Sequence, residues 1–199
     1  MNRALPAVIT ATLALALSVP PLRSLIEQSM AWHMVVQMPL LVLAGALAAR
    51  ALPAIFALPA WSAWFAGPAA QRLADFNHFG LSSFMAAQGI VAYWMLPLAI
   101  DRAVVNPSFD VLKLLTLFIS GLLLHSAFKR APMALQLFFM GYWVAMMAWL
   151  GSYFASTDLR LCNAYSQASQ VATGWSLLVL GLLLGLVWVA NAWRMANSK

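Results

Sequence analysis

Long apolar runs separated by short polar or basic stretches make up most of the chain. Six of these runs are about 20 residues long, the length that an α-helix needs to cross the hydrocarbon core of a bilayer. They lie at about 4–22, 29–49, 79–100, 109–128, 132–155 and 170–192. The pattern predicts an all-α, polytopic membrane helical bundle with about six transmembrane helices. No linker separates parts of the chain, so we expect a single integral membrane domain over 1–199.

The stretch 51–76 is apolar at first but is interrupted repeatedly by proline and tryptophan. Proline ends helices, and tryptophan favours the membrane interface. We therefore expect 51–76 to be an interfacial segment and not a span. A seventh span here would reverse the side assigned to every later loop. The interrupting residues are Pro53, Pro59, Trp61, Trp64 and Pro68.

The distribution of basic residues predicts the orientation. With six spans, seven basic residues fall on the side of the termini and four on the other side. By the positive-inside rule, both termini are then cytoplasmic, in the inner membrane of a bacterium. The first run follows Arg3, as in a signal peptide, and we expect it to be retained as the first span. The first group is Arg3, Arg50, Arg72, Lys129, Arg130, Arg194 and Lys199, and the second is Arg23, Arg102, Lys113 and Arg160.

The composition supports a membrane protein and narrows its function. Hydrophobic residues make up 64% of the 199 residues and charged residues only 8%, against about 25% charged in a soluble domain. The net charge of +6 is spread over single residues or pairs, so it indicates topology and not a nucleic-acid surface. We expect a lipid bilayer and a membrane protein complex as partners, and no nucleic acid.

Sequence signatures of catalysis are absent. The chain has no Walker loop, dinucleotide glycine pattern, HExxH or CxxC, and we do not expect an enzyme. We expect all five acidic residues to lie outside the apolar cores of the spans. Such an arrangement offers no carboxylate to a proton or ion relay, which disfavours a pump or a secondary transporter.

The start of the second predicted span carries the strongest candidate chemistry. Met30, His33, Met34 and Gln37 are spaced i, i+3, i+4 and i+7 and share one helix face, with Met38 beside them. Thioether and imidazole groups are ligands for Cu(I). The spacing therefore predicts a copper site near the periplasmic face. Methionines that only fill gaps between helices, with a hydrogen-bonded His33, are the alternative.

The predicted periplasmic loop Ser156–Ser169 contains the only cysteine, Cys162. The loop lies on the same side as His33, so Cys162 is a further candidate copper ligand. A polar connection with an unreactive free thiol is the alternative. A b-type haem between His78 and His125, on the opposite side, is another possibility, because it needs two histidines at similar depth.

Three segments resemble the CtaG family of membrane proteins, which is associated with cytochrome c oxidase assembly. The family pattern Ser-Met-x-x-His-Met-x-x-His-Met before a proline corresponds to Ser29–Pro39, where Gln37 stands in place of the second histidine. A later family segment, a histidine followed by an aromatic run ending in Trp and Pro, resembles Gln88–Pro97, with Gln88 in place of the histidine. The segment Ser169–Trp175 is similar to a degenerate form of the motif that opens the family's last span.

The resemblance implies a role in supplying or placing copper in a haem-copper oxidase. An amide oxygen is a poor ligand for Cu(I), so the glutamines imply a divergent relative that has kept the scaffold. Our hypothesis is an assembly or accessory factor for a copper-containing respiratory oxidase that binds or hands over Cu(I). The alternative is a non-catalytic structural subunit of a larger membrane oxidoreductase complex, packed through tryptophans and small residues such as Gly141, Ala145 and Ala148. The candidate metal ligands are Met30, His33, Met34, Met38 and Cys162.

Overall fold

A computed structural model of the chain describes residues 19–56 and 77–197, together with the isolated positions 5, 9, 12, 13 and 16. All regular structure within these residues is helical. The elements are α1 (Pro20–Ile26), α2 (Met30–Trp32), a π-helical segment (His33–Gln37), α3 (Met38–Phe56), a 3₁₀ turn (His78–Gly80), α4 (Leu81–Trp94), α5 (Pro97–Val105), α6 (Pro107–Arg130), α7 (Met133–Ser156) and α8 (Gln167–Asn197).

Four helices in the described residues are long and apolar enough to cross a membrane. They are Met30–Arg50, Pro107–Arg130, Met133–Ser156 and Gln167–Met195. They match four of the predicted spans and confirm a multi-pass membrane protein built as a helical bundle. The predicted first span over 4–22 lies mostly outside the described residues. The predicted interfacial segment lies outside them from residue 57 onward, and up to Phe56 the chain continues α3.

The predicted span over 79–100 is a pair of helices with a break between them. Helices α4 and α5 meet at an angle of 71°. The break follows from Pro97, which has no N–H for the carbonyl one turn earlier and forces the preceding residue out of the helical region. Leu96 is indeed extended, with ψ at 132°. The 14 residues of α4 rise only about 21 Å, so α4 and α5 together form at most one broken span.

A second proline explains the π-helical segment. Pro39 cannot donate a hydrogen bond to the carbonyl of Val35, four residues earlier. The backbone just before it uses a wider turn, in which the N–H of Met38 donates to the carbonyl of His33. Such one-turn widenings are frequent at functional sites. This one includes both His33 and Gln37.

Glycines permit two close helix crossings that hold the bundle together. Helices α3 and α6 run in the same direction and cross where Gly45 meets Gly121, each of which would clash with backbone of the other helix if it carried a Cβ. Helices α7 and α8 cross at Gly151 and Gly174. A Cβ on Gly174 would lie 2.6 Å from the backbone of the opposite helix. Small residues at such positions let membrane helices approach closely.

Changing Gly174 to Ala is expected to destabilise the bundle by about 1–3 kcal/mol, the usual cost of overpacking a tight contact. Gly141 on α7 is the matched control, because a Cβ there meets nothing within 4 Å. We expect Gly141→Ala to be neutral or to stabilise by up to about 1 kcal/mol through helix propensity. Heating the detergent-purified variants and measuring the monodisperse fraction by size exclusion provides the readout. Equal melting of the two variants would show that the α7–α8 crossing is not tight.

Candidate functional site: a buried charged cluster

A cluster of charged and polar side chains lies inside the bundle, at the end where α2 and α6 begin. We call it the Lys113 cluster, and it contains Arg23, Glu27, His33, Gln37, Asp110, Lys113 and Tyr165. Its members come from α1 and the turn after it, the π-helical segment, the first turns of α6 and the loop before α8. Ionisable groups buried in a membrane protein are costly and often functional.

The ammonium of Lys113 is at the centre of the cluster. The residue is 0% exposed, and its Nζ has four acceptors within hydrogen-bonding or ion-pairing distance. The shortest contacts, both 2.8 Å, are to Asp110 Oδ1 and His33 Nε2. Glu27 Oε1 lies at 3.1 Å and Gln37 Oε1 at 3.4 Å. The three ammonium protons are therefore fully used.

The cluster is balanced in charge. Arg23 Nη2 lies 2.6 Å from Asp110 Oδ2, and its Nε lies 3.3 Å from Glu27. Two cations, Arg23 and Lys113, thus face two carboxylates, Glu27 and Asp110. Burying charges is tolerable only when each is paired and hydrogen-bonded. Arg23 and Glu27 are partly exposed, whereas Asp110 is 1% exposed, so the cluster is closed inside and reaches solvent on one side.

Both ring nitrogens of His33 are hydrogen-bonded. Because the Lys113 ammonium donates to Nε2, the ring proton lies on Nδ1, which donates to the Tyr165 hydroxyl at 2.7 Å. Burial, followed by the negative charge of Glu27, raises the pKa of Tyr165 above its ordinary value. The phenol therefore stays neutral. His33 connects the loop before α8 to the lysine on α6.

The loop that carries Tyr165 is held in place by side chains at its two ends. Arg160 donates to the carbonyls of Cys162, Asn163 and Tyr165. Gln170 accepts from the N–H of Leu161 and donates to the carbonyl of Leu159. These bonds fix the position of the Tyr165 hydroxyl over His33. The loop thus closes over the His33 end of the bundle.

The structure brings the predicted copper ligands into one region. Met30, Met34, Met38 and Cys162 are 0 to 3% exposed and belong to the same apolar core, and His33 lies at its edge. Their arrangement differs from a metal site, however, because Lys113 and Tyr165 already occupy the imidazole of His33. Within the described residues, no group of three or more His, Cys, Asp or Glu side chains is placed to hold a metal ion.

Cys162 is a buried thiol with its own acceptor. Its Sγ lies 3.7 Å from the carbonyl oxygen of Pro97. Burial, reinforced by the charge of Asp101, raises the pKa of this thiol to about 12. The thiolate that binds metals is therefore scarce at neutral pH.

The expectation that all carboxylates lie outside the apolar cores is wrong for Asp110. Asp110 and Lys113 both lie inside α6 at an i, i+3 spacing, and both are buried. The signal was present in the sequence, because the predicted span over 109–128 already contained the two residues. Charged residues within an apolar run are candidates for function by default.

The remaining candidate polar residues lie elsewhere. Gln88 donates to the carbonyl of Phe139 at 2.9 Å and links α4 to α7. His125 lies near the opposite end of α6. The side chain of His78 is outside the described part of the chain. A haem between His78 and His125 therefore stays a prediction.

Comparisons with protein-family models, with curated proteins and with solved structures give no match to this chain.

Replacing Lys113 by Met is expected to destabilise the protein by about 3–5 kcal/mol, because it leaves buried carboxylates without their cation. Removing the charge of Asp110 as well, in Lys113→Met/Asp110→Asn, restores charge balance and should recover part of this loss. Arg130→Met is the control on the same helix, since Arg130 is exposed, and a change within about 0.5 kcal/mol is expected. Unfolding by SDS, followed by circular dichroism in mixed micelles, measures the differences. A loss of stability in Lys113→Met no larger than that of the control would show that the cluster does not stabilise the fold.

The raised pKa of Cys162 predicts a pH dependence of stability. The folded thiol titrates at about 12 and the unfolded thiol at about 8.5. The folded state therefore binds the thiol proton more tightly than the unfolded state. The stability that this contributes is lost as the pH rises from the pKa of the unfolded thiol toward that of the folded thiol. Each pH unit in this window should cost wild type up to about 1.4 kcal/mol. Cys162→Ala removes this titration, so its stability should fall less steeply from pH 9 to 11. An equal dependence of stability on pH in wild type and in Cys162→Ala would contradict the raised pKa of this thiol.

Proposed function

We propose that this chain is a non-catalytic accessory subunit or assembly protein of a membrane oxidoreductase complex, and that it uses its own lysine in place of a metal ion. One observation carries the proposal. The Lys113 ammonium lies 2.8 Å from His33 Nε2 and 3.4 Å from Gln37 Oε1. His33 and Gln37 are the two positions at which the similar family pattern has its paired histidines. An internal cation therefore takes the contacts that a bound metal would need.

The chemistry of the cluster supports this reading. Hard oxygen acceptors surround the ammonium, and Cu(I) prefers sulfur and imidazole to carboxylate and amide oxygens. For copper to bind Nε2 of His33, Lys113 would have to leave Asp110 and Glu27. Two carboxylates would then lose their nearest cation in a buried place. The cluster is thus better suited to holding helices together than to exchanging an ion.

The class of partner rests on the resemblance to the CtaG family, which implies a haem-copper oxidase. A haem-copper oxidase as partner agrees with a location in the inner membrane of a bacterium, with both termini cytoplasmic. In that orientation the Lys113 cluster lies at the periplasmic end. In this role the chain contributes buried surface and a fixed loop, and it turns over no substrate.

Copper handover is the second candidate, and one observation favours it. The thioethers of Met30, Met34 and Met38 are buried in one continuous core that also contains Cys162. Their soft sulfur atoms would suit Cu(I) if the lysine moved away. This function would make Lys113 a residue that competes with copper for His33.

Anaerobic Cu(I) loading of the detergent-purified protein separates the two candidates. After a chelator wash, we expect wild type and His33→Ala to retain no copper. A variant with Gln37→His, Lys113→Met and Asp110→Asn keeps the charge balance and presents two imidazoles beside Met34. It should retain one Cu(I) per chain, because the cation has been removed and a soft ligand added.

Retention of one copper by wild type, lost in His33→Ala, would contradict the structural proposal and support copper handover. A complementation assay provides the cellular counterpart. In a strain lacking this chain, an accessory role predicts a lower amount of oxidase with its full copper content, restored by His33→Ala. A handover role predicts copper-poor oxidase that His33→Ala does not restore.

A further inference from the structure

A cavity of about 520 Å³ lies between helices and extends from Met34, next to His33, to Arg50 at the other end of the span. Its volume is within the roughly 300–1,000 Å³ that is typical of ligand-binding pockets. Its walls are mostly apolar and come from five helices, α3, α4, α6, α7 and α8. Residues lining it include Met95, Phe128, Trp143, Met147, Leu180 and Leu184.

The cavity is long. One stripe of its lining repeats every four residues along the helix that contains α3, from Met34 through Met38, Val42 and Ala46 to Arg50. Sixteen residues of helix rise about 24 Å, which is most of the hydrocarbon thickness of a bilayer. An extended chain fits such a shape better than a flat macrocycle does. The cavity therefore has the shape of a site for a single hydrocarbon chain.

One end of the cavity is cationic. Arg50 and His125 line it, and a second hollow beside it is lined by Arg50, His125, Phe128 and Lys129. Arg50 is the last residue of its apolar span, and Lys129 is next to last in α6. The two cations thus lie at the membrane boundary, the depth of lipid head groups. Basic residues at this depth attract anionic lipids.

Two side chains that line the cavity have buried nitrogens with no hydrogen-bond partner in the described part of the protein. They are His125 Nε2 and Trp143 Nε1. A buried polar group without a partner costs about 1–3 kcal/mol, and the exceptions in native proteins call for an explanation. The indole N–H can only donate. An acceptor such as an ester or phosphate oxygen inside the cavity would satisfy it.

We propose that this cavity binds one anionic phospholipid. Its phosphate would pair with Arg50 and Lys129 and accept from His125, and one acyl chain would extend along the α3 stripe from Arg50 to the middle of the bilayer, near Val42. The direction agrees with a lipid in its own leaflet, since its head lies at the span ends and its chain points to the bilayer centre. The site goes beyond the proposed accessory role, because it does not involve the Lys113 cluster.

Native mass spectrometry of the full chain, released from nanodiscs of equimolar phosphatidylglycerol and phosphatidylcholine, tests the proposal. Wild type should retain one phosphatidylglycerol and strongly prefer it to phosphatidylcholine. Arg50→Gln/Lys129→Gln should lower the retained fraction at least tenfold. The matched control, Arg130→Gln/Arg194→Gln, removes the same charge at the same end of the bundle from exposed residues that do not line the cavity, and should retain the lipid.

A second variant tests the chain-binding part without a change in charge. Leu180→Trp should fill the cavity and expel the acyl chain, and size exclusion and circular dichroism would report whether the variant is folded. Equal retention of the two lipids, or equal loss in both charge variants, would overturn the proposal. A Soret band in the purified wild type, with no retained lipid, would also overturn it and assign the cavity to a haem.

Discussion

The buried ammonium of Lys113 is the interaction on which one end of the bundle depends. An ammonium without acceptors is not tolerated at 0% exposure, so several chain segments must converge on it. Asp110 comes from its own helix, Glu27 from the turn after α1, and His33 from the π-helical segment. The parallel pairing of α3 and α6, the wide turn before Pro39 and the position of the loop before α8 all serve these contacts.

The two ends of the same helix pair differ in their hydrogen bonding. At the Lys113 end, every proton of the ammonium and both nitrogens of His33 have partners within the chain. At the Arg50 end, His125 and Trp143 have buried nitrogens without partners, and they line an apolar cavity. The ion pairs and hydrogen bonds of the Lys113 cluster stabilise the structure, whereas unpaired nitrogens beside a cavity are available to a bound ligand. The two ends of this helix pair are therefore suited to different roles, stabilising the fold at the Lys113 end and binding a ligand at the Arg50 end.

The apolar runs were sufficient to predict four spans, because hydropathy over about 20 residues reflects the thickness of the bilayer. They did not predict the break at Pro97, which depends on one missing N–H and not on hydropathy. Helical spacing correctly put Met30, His33, Met34 and Gln37 on one buried face. It could not identify their partner, because Lys113 is 80 residues from His33 in the sequence. The pairing of Asp110 with Lys113 was within reach of the sequence, because both lie in the predicted span over 109–128 at an i, i+3 spacing.

The chemistry of Gln37 follows from this partner. As a ligand for Cu(I), a glutamine amide is poor. Beside an ammonium and a carboxylate, the amide of Gln37 can pair with both groups. Its oxygen accepts from Lys113 at 3.4 Å and its nitrogen donates to Glu27 at 3.5 Å. Both contacts are long, so their contribution is modest. They nevertheless give each polar atom of the amide a suitable partner, an ammonium for the oxygen and a carboxylate for the nitrogen. Gln37 therefore suits a site built around a lysine better than a site for a soft metal ion.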